Sequence, residues 1–294
     1  AIVRATALSL LGGSPPDEPV VRLFDVALVD EEPLIRRTAV EFLPASDAET
    51  VVTKLVPLLF DGVRAVRTLA GSRLAGAPDE LLEPYQRERL AEVIAEHVAD
   101  MRYSLDFSFA GHNLGNLYSQ LGEPEKAIEF YRAAIDVDEL FFPAKMNLAV
   151  LYNSAGRNDE AEALLREVLD AYPEEAQAAY SLGLLLAEMG RLEEAVVFLR
   201  RATTIEPGRA RAHYNLGLAL QAARRVDEAG EALRAAVAIE PENLDYLYGL
   251  ADHYGRSGNL RAAISIAERM NATHPENPLG RDLKVQLERA RNGG

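Results

Sequence analysis

The chain has 294 residues, 48% of them apolar, with 46 acidic against 31 basic side chains, a formal net charge of −15, no cysteine and no tryptophan. That length and apolar content suffice for a sizeable buried core. The missing cysteines exclude disulfides, thiolate metal ligands, a cysteine nucleophile and haem attachment through C-x-x-C-H, and the acidic balance without a basic track argues against nucleic-acid binding.

The first hundred residues repeat themselves. Arg4, Arg36 and Arg67 lie 32 and 31 residues apart, and Ala7, Ala39, Ala70 and Leu11, Leu43, Leu74 keep step with them. The aligned cores read IVRATALSLL, LIRRTAVEFL and AVRTLAGSRL, and Asp30 and Asp61 each stand six residues ahead of an Arg. An acid in an inter-helix turn and an Arg on the following helix predict a charge-assisted ladder from repeat to repeat. These cores resemble HEAT-type repeats, which are antiparallel helix pairs, over residues 1–78. On that resemblance the first unit is truncated to its second helix. Such a half-repeat implies either more chain ahead of Ala1 or a homo-oligomer formed through the open end. Residues 79–107 follow, where DELLEPYQRERLAEVIAEHVADMRYS predicts one long connecting helix or two helices kinked at Pro84.

From residue 108 a period of 34 takes over, giving five units that start at 108, 142, 176, 210 and 244 and end at 277. Position 8 is Gly115, Ala149, Gly183, Gly217 or Ala251, and position 20 is Ala127, Ala161, Ala195, Ala229 or Ala263. Position 7 is always Leu, and the chain breaks near position 15 at Gly122, Gly156, Gly190 and Gly258, with Arg224 as the exception. This pattern predicts a helical hairpin. Small residues bring two helices together, a left-handed residue opens the turn, and a Pro such as Pro207 or Pro241 ends the second helix. One hairpin cannot bury its own apolar stripe, so each unit supplies the core of its neighbour. Residues 278–294, with Leu283, Leu287 and Ala290 on one face, read as a C-terminal capping helix and tail.

The segments NLGNLYSQLGEPEKAIEFYRAAI, NLAVLYNSAGRNDEAEALLREVL, SLGLLLAEMGRLEEAVVFLRRAT, NLGLALQAARRVDEAGEALRAAV and GLADHYGRSGNLRAAISIAERM closely resemble the tetratricopeptide repeat (TPR) family. The resemblance implies an all-α, right-handed α-solenoid of helix hairpins that acts as a non-catalytic scaffold. Its partner would be a protein or an extended peptide held in the concave groove. In such repeats positions 2, 5, 6, 9, 12 and 13 face the hollow. Position 5 gives His112, Met146, Tyr180, Tyr214 and Tyr248, the last three an aromatic rail. Position 6 contributes Asn113, Asn147 and Asn215; position 9 contributes Asn116, Leu184, Leu218 and Asp252; position 2 contributes Arg211. Amides at this spacing suit hydrogen bonds to an extended backbone, and the Tyr and Leu faces would shelter its side chains. The carboxylate clamp of chaperone-binding TPRs is matched at Asn116 and Asn147, but His112, Gln177 and Ser181 occupy its cationic positions, which argues against a chaperone-tail receptor.

Catalytic signatures are missing. The five histidines, His97, His112, His213, His253 and His274, show no i, i+4 pairing with a third ligand near in sequence, so no metal is expected. No phosphate loop, dinucleotide fingerprint or nucleophile elbow occurs, so no cofactor and no enzyme activity are expected. Acidic runs such as DVDEL and VDEEP fall at helix junctions, where solvated charge explains them. No apolar run reaches the length of a membrane span. The order of HEAT-like units followed by TPRs is also similar to the C-terminal part of bacterial multihaem c-type cytochromes. That likeness implies an upstream haem-bearing domain and a periplasmic or extracellular site, whereas the repeats by themselves leave a cytoplasmic one equally open.

Overall fold

The computed structural model describes residues 1–12, 17–44 and 47–293, and every regular element among them is helical. The chain is an all-α repeat solenoid of seventeen α-helices among the described residues. It divides into two compact units, Ala1–Asn147 and Leu148–Gly294.

In the first unit, α1 (Ile2–Leu11), α3 (Pro33–Phe42) and α5 (Arg64–Leu74) pack in a row. α2 (Glu18–Ala27) packs on α3, and α4 (Ala48–Leu55) with the 3₁₀ turn Val56–Phe60 packs on α5. Asp17 and Asp47 cap α2 and α4, accepting from the N–H of Val20 at 2.9 Å and of Thr50 at 2.7 Å. The core is mostly aliphatic, with Ile35, Leu55, Leu59 and Leu74 fully buried around the one aromatic ring of Phe24.

The arginine ladder runs along the α1, α3, α5 row. Arg4 pairs with Asp30. Arg36 grips Asp61 through two parallel bonds of 2.6 and 3.0 Å while its third nitrogen bonds the Asp30 carbonyl at 2.8 Å. Each aspartate also accepts a backbone N–H two residues on, from Glu32 or Val63, and so shapes its own turn. The third rung changes partner: Arg67 reaches Glu96, Nε to Oε2 at 2.8 Å, on α6 (Pro84–Tyr103). Of the two forms expected for residues 79–107, the chain takes a short 3₁₀ turn, Asp79–Leu81, followed by a single helix that begins at Pro84. Proline is favoured at the first helical position, where its missing N–H has no partner to lose. α7 (Ser108–Gln120) and α8 (Pro124–Val137) then form a hairpin. Its close approach depends on Gly115, where a Cβ would lie 2.4 Å from the Tyr131 ring.

α9 (Phe142–Ser154) spans the boundary between the units. Within the second unit, α10 (Asn158–Ala171) is followed by three hairpins. They are α11 (Ala176–Glu188) with α12 (Leu192–Ile205), α13 (Ala210–Ala222) with α14 (Val226–Ile239), and α15 (Leu244–Arg256) with α16 (Leu260–Thr273). α11, α13 and α15 form one layer, and α12, α14 and α16 pack against it. The small position 8 again sets the spacing: a Cβ on Gly183 or Gly217 would fall 2.7 or 2.6 Å from the Cγ of Leu199 or Leu233. The turn residues Gly156, Gly190 and Gly258 have φ of +73°, +77° and +79°, and Arg224 adopts the same left-handed conformation at +62°. α17 (Leu279–Gly293) lays Leu283 and Leu287 against Ala263, Ile264 and Ala267 of α16, while Ala290 stays exposed. Met270 is fully buried, and the α17 backbone approaches so closely at Gly280 that a Cβ there would lie 2.9 Å from the Met270 Cβ.

Candidate functional site

The first-helix positions named from the sequence fall into two clusters, one in each unit. In the first unit, α7 presents His112, Asn113 and Asn116, and α9 presents Met146 and Asn147. Asn147 Nδ2 lies 3.1 Å from His112 Nε2 and 2.7 Å from Asn116 Oδ1, and the Tyr131 hydroxyl donates to the same Asn116 oxygen at 2.6 Å. With the amide donating, Nε2 is the acceptor and the His112 ring is the neutral Nδ1–H tautomer. Burial lowers the His112 pKa from its ordinary value, and burial pushes the Tyr131 phenol up to about 12. The Phe141 ring meets His112 edge-on, 5.5 Å between centroids. Asn113 is exposed and Met146 buried.

In the second unit, Asn215 Nδ2 donates to the Tyr180 hydroxyl at 2.7 Å. This is the same bridge as Asn147 to His112, from position 6 of one repeat to position 5 of the repeat before it. Tyr180 is only 7% exposed. Its ring lies under the Arg209 guanidinium, 4.2 Å from the ring centre, and Arg209 in turn donates to Gln177 at 2.6 Å. One repeat on, position 6 is Gly249, and the Tyr214 ring occupies the space an asparagine would fill: a Cβ on Gly249 would sit 2.5 Å from Tyr214 Cε2. Tyr214 also packs against Tyr246, with ring centres 5.0 Å apart. Its phenol is raised chiefly by burial and further by the Asp245 carboxylate.

The three tyrosines expected to form one rail therefore stand in three environments. Tyr180 is a buried post, Tyr214 is half-buried, and Tyr248 is 40% exposed. Leu218 is also 40% exposed, Leu184 is half-buried and Arg211 is exposed. Leu218 and Gln221 lie one turn apart on α13, and Tyr248 and Asp252 one turn apart on α15. Gln221 Nε2 joins the two helices through Asp252 Oδ2 at 3.4 Å, and Arg256 Nε pairs with Asp252 at 2.7 Å. Gln221 Oε1 is buried with no hydrogen-bond partner among the described residues.

Tyr131, Arg209, Phe141 and Gln221 were not singled out from the sequence. Gln221 was within reach, since it occupies position 12 of its unit, one of the hollow-facing places. Tyr131 sits on a second helix, and only the glycine at position 8 opposite it hints that its ring leans inward. Among the described residues no group of three or more His, Asp or Glu side chains is placed to hold a metal ion. No helix among them is long and apolar enough to cross a membrane.

Two tetratricopeptide repeat family models match the chain, one over residues 112–174 and 146–210, the other over 186–237 and 220–287. No curated protein matches by sequence. Among solved structures, YrrB, described as a TPR protein with an unusual peptide-binding site, superposes with a TM-score of 0.54 at 22% identity, covering 64% of this chain and 97% of that one. MamA from Desulfovibrio magneticus gives 0.54 at 20% identity, over 58% of this chain and 96% of its own. Pseudomonas aeruginosa PilF gives 0.53 at 22%, over 66% and 86%. At these identities the likeness establishes the fold.

Proposed function

Because the chain belongs to the tetratricopeptide repeat family, whose members are protein-interaction scaffolds, we propose that it holds an extended segment of a partner polypeptide against the first-helix layer of its repeats, with no chemistry of its own. The division into HEAT-like units over 1–78, a connector over 79–107, five TPRs over 108–277 and a cap over 278–294 is part of the same reading.

One observation carries it: Leu218 on α13 and Tyr248 on α15 are each 40% exposed, on neighbouring first helices joined by the Gln221–Asp252 hydrogen bond of 3.4 Å. Both would bury apolar area against the side chains of a bound strand. The Gln221–Asp252 bond and the Tyr214 ring packed on Gly249 hold α13 and α15 together, so little ordering is required on binding. The description of YrrB as peptide-binding is in keeping with such a role.

The test is a selection of random displayed peptides on the intact chain, followed by calorimetric titration of a selected peptide. Leu218→Ala and Tyr248→Ala should each weaken binding about tenfold. Val197→Ala, on α12 and 62% exposed, should leave it unchanged. Equal affinity for all three variants, or the loss falling on Val197→Ala, would refute the proposal.

A further inference from the structure

The first turn of α7 and the turns that lead into α7 and α9 carry a surface that the Leu218–Tyr248 face does not include. Phe107, just ahead of α7, is 56% exposed and stacks on Phe109, which is 46% exposed, with ring centres 5.7 Å apart. Phe109 lies one turn before His112, whose ring meets Phe141 at 5.5 Å, so the two turns stand side by side. Leu140, beside Phe141, is 61% exposed. A monomer gains nothing by holding three large apolar side chains in water, and contiguous patches of this kind mark interaction sites.

The rim decides the occupant. Asp106 adjoins Phe107, Asp136, Asp138 and Glu139 precede Leu140, and all four are exposed. Neither 103–112 nor 133–144 contains a Lys or Arg. Arg102, Arg132 and Lys145 lie just outside these segments, and Arg132 and Asp136 stand one turn apart on α8, so Asp106, Asp138 and Glu139 set the sign of the rim. A second copy of this chain, with a net charge of −15, would be repelled, and so would an anionic membrane. We infer that this patch docks a Lys/Arg-rich segment of a different protein, one that seats large apolar or aromatic side chains on Phe107, Phe109 and Leu140 while its cations face the acidic rim. Such a partner satisfies both the aromatic and the anionic character of the surface. This site is distinct from the Leu218–Tyr248 face and can hold or fail independently of it.

The probe is a short fluorescent peptide composed of Lys, Arg, Leu and Phe, titrated into the intact chain by anisotropy. Its companions are one peptide with Ser for Leu and Phe and one with Glu for Lys and Arg. The first should bind, and at least about tenfold more tightly than either companion. Charge reversal at the rim, Asp106→Lys with Glu139→Lys, should weaken it about tenfold, as should Phe109→Ser with Leu140→Ser. The matched reversal Glu240→Lys with Glu242→Lys, on exposed residues of the second unit, should change it less than about twofold. Because the rim substitutions lie wholly on the surface, they keep the test valid should the apolar pair impair folding. Tyr248→Ala should leave this binding intact. The proposal fails if both reversals act alike, if the serine peptide binds as well as the first, if the patch variants abolish a dimer seen in sedimentation, or if the chain binds phosphatidylcholine vesicles through this patch.

Discussion

Asn215 donates its side-chain amide to the hydroxyl of Tyr180 at 2.7 Å across two repeats, and Asn147 does the same to the His112 ring at 3.1 Å. In both cases position 6 of a later repeat ties down position 5 of an earlier one, whatever the ring. The bridge therefore belongs to the stacking of repeats, and the exposed residues around it are displayed on an already fixed frame.

Breaking that bridge should cost stability. Tyr180→Phe leaves the partly buried Asn215 amide without its acceptor, and we expect a loss of about 1–1.5 kcal/mol in urea unfolding. Asn215→Ala should cost a similar amount. Combined, the two should cost clearly less than their sum, because the first substitution has already removed what the second would break.

Arg224 holds a conformation that glycine holds at the corresponding turns. A Cβ at Gly190 or Gly258 would meet nothing within 4 Å, so the penalty at these turns comes from the backbone rather than from packing. Arg224→Gly should raise stability by about 1 kcal/mol, and Gly190→Ala should lower it by about as much. Thermal unfolding of the two variants against the parent checks both signs.

The repeat itself was legible because it is a rule about size. Position 8 must be small where helices touch, and Gly183 against Leu199 leaves no room for anything larger. The first two rungs of the arginine ladder were legible for a similar reason, since Asp30 and Asp61 recur in step with the arginines they serve. The third rung was not, because Glu96 lies mid-helix on α6, outside the period. The environments of the tyrosines were equally hidden. Tyr180, Tyr214 and Tyr248 share one position, but Arg209 covers the first, Gly249 makes room for the second, and the third stays open. Those differences are set by side chains about a repeat away. Phe107 and Leu140 were hidden because a rule about first-helix positions passes over the turns before them, whereas Phe109, at position 2 of its unit, was within reach of that rule.

The buried histidines predict acid sensitivity. His97, His112 and His253 all have pKa values lowered by burial. As pH falls below about 6.5 the unfolded chain takes up protons that the folded chain resists, so stability declines until the folded pKa is reached. For His112 the neutral ring is also the one that can accept from Asn147. His112→Gln cannot titrate, so the advantage of the parent over this variant in melting temperature should hold from pH 8 to about pH 7 and shrink from there to pH 5. An advantage constant across that range would show that His112 does not contribute to the slope.

The second rung of the ladder should matter more than any surface pair. Side chains of Arg36 and Asp61 are 15% and 6% exposed, whereas those of Arg22 and Glu18 are 75% and 76% exposed. Burial pushes the Asp61 carboxyl upward, but the Arg36 guanidinium and the Val63 N–H outweigh it and hold the pKa below the ordinary carboxylate value. Asp61→Asn keeps the size but removes the charge facing Arg36, and should cost about 2–3 kcal/mol near neutral pH. Glu18→Gln should cost under about 0.5 kcal/mol. Since the folded pKa of Asp61 is depressed, its contribution is complete above the unfolded value near 4 and disappears as pH falls through the folded one. The gap between the parent and Asp61→Asn should therefore close in acid, and urea titrations at pH 7 and pH 3 would reveal it. A gap of equal size at both would place the effect in the shape of the turn rather than in the charge.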